Sequence, residues 1–118
     1  MSCLFLEYPK CTTCRKAKKW LEENNIDFID RDIKLENPTK EELKLWLDRS
    51  GLEIKKFFNT NGALYREKGM KDKIKELSED ELLNILASDG MMVKRPLIIC
   101  DSKVLVGFKE VEWESNLK

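Results

Sequence analysis

The sequence predicts an α/β fold ordered β-α-β, helices, β-β-α, and three observations lead to it. Two short apolar and aromatic stretches, "SCLFLEY" (2–8) and "IDFIDRDI" (26–33), flank a run with helical spacing. Two capping-box signatures, Thr39 with Glu42 and Ser78 with Glu81, open helices in the middle of the chain. Near the C-terminus "RPLIIC" and "KVLVG" flank Asp101-Ser102, the pattern of an antiparallel hairpin.

Taken in order, the first strand stops at Pro9, and from Thr12 the residues Cys14, Ala17, Trp20 and Leu21 fall on one helical face until "NN" (24–25) breaks the run. A strand, a helix and a strand within about thirty residues make a βαβ unit, so the two strands are expected parallel with a right-handed crossover. The next helix places Leu43, Trp46 and Leu47 on its inner face and stops at Gly51. "LEIKKFFNTNG" (52–62) predicts a short helical turn, and "ALYREKG" another. The helix after Ser78 is expected to bury Leu82, Leu83, Ile85 and Leu86 and to end at Gly90. "FKEVEWESNLK" closes with a short helix. One domain over 1–118 is expected, a core of about 1–35 and 91–118 around a helical insertion of about 36–90.

Composition narrows the function. Lys+Arg and Asp+Glu both number 22, so no bulk polarity points to nucleic acid or to a membrane surface. No apolar run approaches the roughly 18 residues that span a bilayer. "MSCLFLEYPK" lacks the cationic start and small-residue cleavage site of a signal peptide, so a cytoplasmic monomer is the expectation. The chain has no histidine, which removes Cys/His zinc sites, a Ser-His-Asp triad and haem attachment. A four-cysteine zinc site needs a second close pair, and Cys3 and Cys100 stand alone, each read as a small buried hydrophobe. No metal is expected.

The chemistry gathers at "YPKCTTCRKAKKW" (8–20). Cys11 falls at a helix start, where unpaired backbone N–H groups and the positive end of the helix dipole favour a thiolate. Cys14, one turn on, is within reach of its sulfur. One exposed thiolate that attacks and a second thiol that resolves the mixed disulfide is what a C-x-x-C redox pair requires. Lys10, Arg15, Lys16, Lys18 and Lys19 all precede the first helix acid, Glu22. Cations in a first turn oppose the dipole, so their presence favours an anion site, although any single lysine here is a solvated face. Lys10 and Arg15 are the candidates nearest the sulfurs. Arg95, just before Pro96 at the opening of a strand, reaches Cys11 if that strand runs beside the first.

Together "CTTCRKAKKWLEE", "RD" in the second strand, "KRPLII" and "VLVGF" resemble the arsenate reductase (ArsC)/Spx family of thioredoxin-like proteins, in order and over nearly the whole chain. The resemblance implies a thioredoxin-like fold with an inserted helical segment, Cys11 as nucleophile, Arg95 close to it, and a Pro96 that is commonly cis. Arsenate reductases of this family hold their oxyanion with three arginines. Only Arg95 matches; the other two positions fall at Asn59 and Gly107, and those enzymes usually carry serine where Cys14 stands. The C-x-x-C pair with a "VGF" ending draws the chain towards the Spx- and MgsR-like members.

Two function classes follow. One is an arsenate reductase-like thiol–disulfide oxidoreductase with catalytic Cys11, Cys14 and Arg95, no bound cofactor, and glutathione, glutaredoxin or thioredoxin as reductant. The other resembles Spx, a redox-sensing regulator that binds the RNA polymerase alpha subunit and does not contact nucleic acid directly. Spx-type regulators tend to continue with a basic tail, and the sequence stops soon after its last helix, which favours the enzyme.

Overall fold

The computed structural model describes residues 3–118. Strand β1 (Cys3–Glu7), helix α1 (Thr12–Glu23) and strand β2 (Phe28–Asp32) form the βαβ unit, with β1 and β2 parallel and Cys3 opposite Phe28. Strands β3 (Leu97–Ile99) and β4 (Val104–Val106) form the antiparallel hairpin, closed by the Cys100 N–H donating to the Lys103 carbonyl at 2.8 Å. Strand β3 lies antiparallel beside β1, so the sheet order is β2-β1-β3-β4.

Helix α1 ends at the "NN" pair: Asn24 caps it, and Asn25 takes φ 54°, a left-handed conformation that asparagine tolerates. Its predicted inner face, Cys14, Ala17, Trp20 and Leu21, is buried. Five further helices follow: α2 (Lys40–Ser50), α3 (Ala63–Glu67), α4 (Met70–Glu76), α5 (Glu79–Ser88) and α6 (Glu110–Leu117), with short 3-10 turns at Ile54–Phe57 and Gly90–Met92. Both capping boxes form, and Gly51 ends α2 at φ 69°.

Two of the helices depart from expectation. Helix α4 has no sequence signal of its own, because Met70 is its one buried residue. Helix α5 stops at Ser88, two residues before Gly90, and Ile85 is only partly buried. Gly90 serves a different purpose: a Cβ there would overlap the Ile33 carbonyl, so the position needs glycine for close backbone approach.

Alternation along β1 sends Leu4 and Leu6 to one face of the sheet and Cys3, Phe5 and Glu7 to the other. Leu6 packs under the inserted helices with Leu43, Trp46, Phe57 and Leu86. Phe5 packs with Ala17, Trp20 and Leu21 of α1 and Trp113 of α6. Trp113 is fully buried and keeps its indole N–H satisfied by donating to the Gly107 carbonyl at 3.1 Å. Among the described residues no helix is long and apolar enough to cross a membrane.

Cys3 and Cys100 are not independent hydrophobes. Continuing the β1–β3 register one residue past Leu4↔Ile99 sets them opposite each other, and they form a disulfide with their Cα atoms 4.4 Å apart. Each is 8% exposed, within the core cluster that contains Phe5 and Trp113.

Candidate functional site

The site forms where β1 hands over to α1. After Glu7 the chain turns through Tyr8-Pro9-Lys10, and the Cys11 N–H donates to the Tyr8 carbonyl at 2.9 Å. Cys11 occupies the N-cap of α1 with extended dihedrals (φ −87°, ψ 123°), and its side chain accepts no capping bond. The N–H groups of the first turn are thereby left to face its sulfur. Cys11 is half-buried and Cys14 fully buried; both are free thiols within hydrogen-bonding reach of each other.

The two sulfurs differ in acidity for different reasons. Partial burial pushes the Cys11 thiol up, but the N–H groups of Cys14 and Thr13, the Cys14 thiol and the Arg95 guanidinium together outweigh it and hold Cys11 below the usual thiol range. Deeper burial raises Cys14 to about 12; the Tyr8 N–H, 3.5 Å from its Sγ, offsets part of that, while Cys11 adds to it as hydrogen-bond partner and as charge. One sulfur is held below the ordinary thiol range and the other is kept protonated behind it. Alkylation of Cys11 followed against pH is expected to show its midpoint below the free-thiol value of about 8.5. A midpoint at or above that value would remove the nucleophile assignment.

Arg95 comes to the site along β3, beside β1 as expected. Its guanidinium carbon lies 5.4 Å from the centre of the Tyr8 ring, and its Nη1 donates two long bonds of 3.4 Å to the Met91 and Val93 carbonyls. Its Nε is buried with no partner. A buried N–H left unpaired costs roughly 1–3 kcal/mol, so the guanidinium has unused capacity for an anionic group next to Cys11. The Arg95–Pro96 peptide is cis, as the family resemblance implies, and the Pro96 carbonyl accepts the Gly107 N–H at 2.8 Å.

The remaining predicted residues are placed elsewhere. Arg15 is exposed and turns its Nε onto the Pro9 carbonyl at 2.8 Å, clamping the turn before Cys11. Lys10 is exposed on the same turn. The cation that acts on Cys11 is Arg95. Asn59 sits on the Met91–Met92 segment that anchors Arg95, its N–H donating to the Met92 carbonyl at 2.9 Å. Gly107 takes φ 74°, with the Lys94 Cε 3.2 Å from where its Cβ would stand.

Sequence reasoning missed Tyr8, whose ring lies under Arg95, and the burial of Glu7, which is 3% exposed. The signal for Glu7 was available in its parity, since it shares a strand face with Cys3 and Phe5 and must therefore point inward beneath α1.

The sequence model of the ArsC family matches residues 6–116. The chain belongs to the ArsC family. Proteins similar to it include YusI of Bacillus subtilis, 55% identical over 116 residues and matched over 98% of each chain. The regulatory protein MgsR of the same organism is 32% identical over 108 residues, covering 92% of this chain and 84% of that one. The crystal structure of an ArsC family related protein from Bacteroides fragilis superposes with a TM-score of 0.94 at 53% identity, over 98% of this chain and 97% of that one. The thioredoxin-like fold of the family is the fold described above.

Proposed function

We propose that the chain is a cytoplasmic thiol–disulfide oxidoreductase in which Cys11 attacks and Cys14 resolves. Glutathione, glutaredoxin or thioredoxin serves as the reductant, and there is no resident cofactor. The observation that carries this reading is the asymmetry of the pair: an N-cap sulfur held acidic and a buried sulfur held protonated, within reach of each other. In the forward half-reaction the Cys11 thiolate attacks a substrate disulfide and expels one thiolate. Cys14 then attacks Cys11 and expels the second, and an external dithiol or two glutathiones return the pair to thiols. The free donors of Arg95 favour a substrate with a carboxylate near the scissile sulfur.

Peptide mass spectrometry after mild oxidation tests it. A Cys11–Cys14 disulfide is expected in addition to Cys3–Cys100, absent in Cys14→Ser, together with turnover of glutathione mixed disulfides. If Cys11 and Cys14 stay reduced, or if only cross-pairings with Cys3 or Cys100 arise, the dithiol assignment is wrong.

The similarity to the regulatory protein MgsR supports a second reading, that of a regulator; with the resemblance to Spx, the same pair is then a redox switch on a protein that binds the RNA polymerase alpha subunit. Copurification of that subunit, lost or gained on oxidation and without turnover, decides for the regulator.

A further inference from the structure

A cleft of about 560 Å³ is bounded by the 3-10 turn at Ile54–Phe57, the end of β4 and the start of α6. Four lysines line it: Lys55, Lys56, Lys94 and Lys109. Among the described residues none of their ammonium groups forms an ion pair, although Glu53 and Glu112 line the same cleft. The cleft of about 320 Å³ between α2 and α5 gives the contrast. There Lys40 pairs with Asp80 at 2.7 Å and Lys44 with Glu79 at 2.9 Å, so the walls neutralise themselves. The larger cleft keeps four unpaired cations against two carboxylates, and its field favours an anionic occupant.

Helix stability does not account for this charge. Lys109 is the N-cap of α6, where the positive end of the dipole disfavours a cation, and its side chain makes no capping bond. Glu112, by contrast, stands in the first turn of α6, where the dipole favours an acid. The stem of Lys94 lies over Gly107, its Cε 3.2 Å from where a Cβ would stand, so a side chain at 107 would crowd it. The lining is also apolar in part: Phe58 is buried, Val106 half-buried, and Leu52 is 42% exposed. A bare polyphosphate would use the lysines alone and press its dense charge against Glu53 and Glu112. A peptide with carboxylate and aliphatic side chains uses both parts of the lining, and lysines, being point charges without a fixed fork, accept carboxylates at varied positions. We propose that this cleft docks an acidic, partly apolar segment of a protein partner. The proposal goes beyond the dithiol reading and does not depend on it. Lys94 immediately precedes Arg95, so a partner held in the cleft lies against the backbone that carries Arg95 to the redox site.

The test is fluorescence anisotropy of a short labelled peptide of Glu, Asp and Leu, titrated with the full chain beside a counterpart carrying Gln and Asn for the acids. The acidic peptide is expected to bind at least about tenfold more tightly at about 50 mM salt, and to lose most of that advantage at about 500 mM. Lys55→Gln/Lys109→Gln should weaken it by at least about fivefold and Leu52→Ser by about threefold. These three side chains are exposed, so the substitutions leave the core intact. Lys40→Gln/Lys44→Gln, in the self-neutralised cleft, should leave the affinity unchanged. Equal binding of the two peptides overturns the proposal, as does an unchanged affinity in Lys55→Gln/Lys109→Gln or an equal loss in Lys40→Gln/Lys44→Gln. An unchanged affinity in Leu52→Ser, or displacement of the peptide by an equal concentration of inorganic triphosphate, also overturns it, because the cleft is then a site for bare anions. Turnover of glutathione mixed disulfides, which tests the dithiol reading separately, should be the same in all of these variants.

Discussion

Breaking the Cys3–Cys100 disulfide is expected to lower the stability of the chain by about 4 kcal/mol. The two cysteines are 97 residues apart in sequence, so the bond closes most of the chain into one loop. In the chain-entropy account, a loop of about 100 residues removes roughly 4.7 kcal/mol of freedom from the unfolded state. The folded state changes little when the bond is cut. The β1–β3 ladder still pairs Leu4 with Ile99 and Leu6 with Leu97, and Arg49 Nη1 still donates to the Cys100 carbonyl at 2.9 Å. The loss therefore arises almost entirely in the unfolded chain. Against a typical total of about 5–15 kcal/mol it is large. Urea unfolding of a Cys11→Ser/Cys14→Ser variant, with and without a strong reductant, isolates this bond from the other pair. A midpoint that reductant does not move would show that Cys3 and Cys100 are unbonded thiols in solution, as would four titratable thiols in the denatured, unreduced parent.

This disulfide marks the boundary of what the sequence discloses. The βαβ unit, both capping boxes and the hairpin are local: each is written within about thirty residues, in periods and caps that bias the backbone directly. Cys11 and Cys14 were legible for the same reason, since a helix start makes its own electrostatics. Cys3 and Cys100 are partners only because β3 lies beside β1 in one particular register, and no local pattern records that. Arg95 shows the intermediate case. The Arg-Pro step announced a strand opening, but its approach to Cys11 depends on the same β1–β3 pairing. The helix-start cations misled for an electrostatic reason. Sequence proximity made Arg15 and Lys10 the candidates, whereas Arg15 is drawn to the Pro9 carbonyl and the charge that acts on Cys11 comes from more than eighty residues away. Helix α4 went unread because a seven-residue helix burying one methionine leaves no periodic signature.

Arsenate is expected to be a poor substrate, with turnover at least about a hundredfold below that of a glutathione mixed disulfide. A tetrahedral oxyanion must leave water, and positioned charge-assisted bonds have to offset that desolvation. The family resemblance implies three arginines around the oxyanion, and of these positions only Arg95 is an arginine here. Each bond to a charged group is worth roughly 1.5–3 kcal/mol, so two absent arginines amount to about 3–6 kcal/mol. The structure indicates which of them can be restored. Gly107 has φ 74° and donates its N–H to Pro96, so an arginine there would strain the backbone that holds the cis Arg95–Pro96 segment. Lys94 already stands against that position, but an ammonium lacks the planar fork that matches an oxyanion. Asn59 is the better place, because its backbone is fixed on Met92 next to the carbonyl that Arg95 grips. Asn59→Arg is therefore expected to raise arsenate turnover by roughly tenfold or more, and Arg95→Ala to abolish it in either background. The measurement is arsenite formation with glutathione and glutaredoxin present, run beside turnover of the mixed disulfide, which Asn59→Arg should leave within about threefold. Arsenate reduction by the unmodified protein as fast as its disulfide turnover would refute the argument, because a single arginine and the N–H groups at the start of α1 would then suffice to hold the oxyanion.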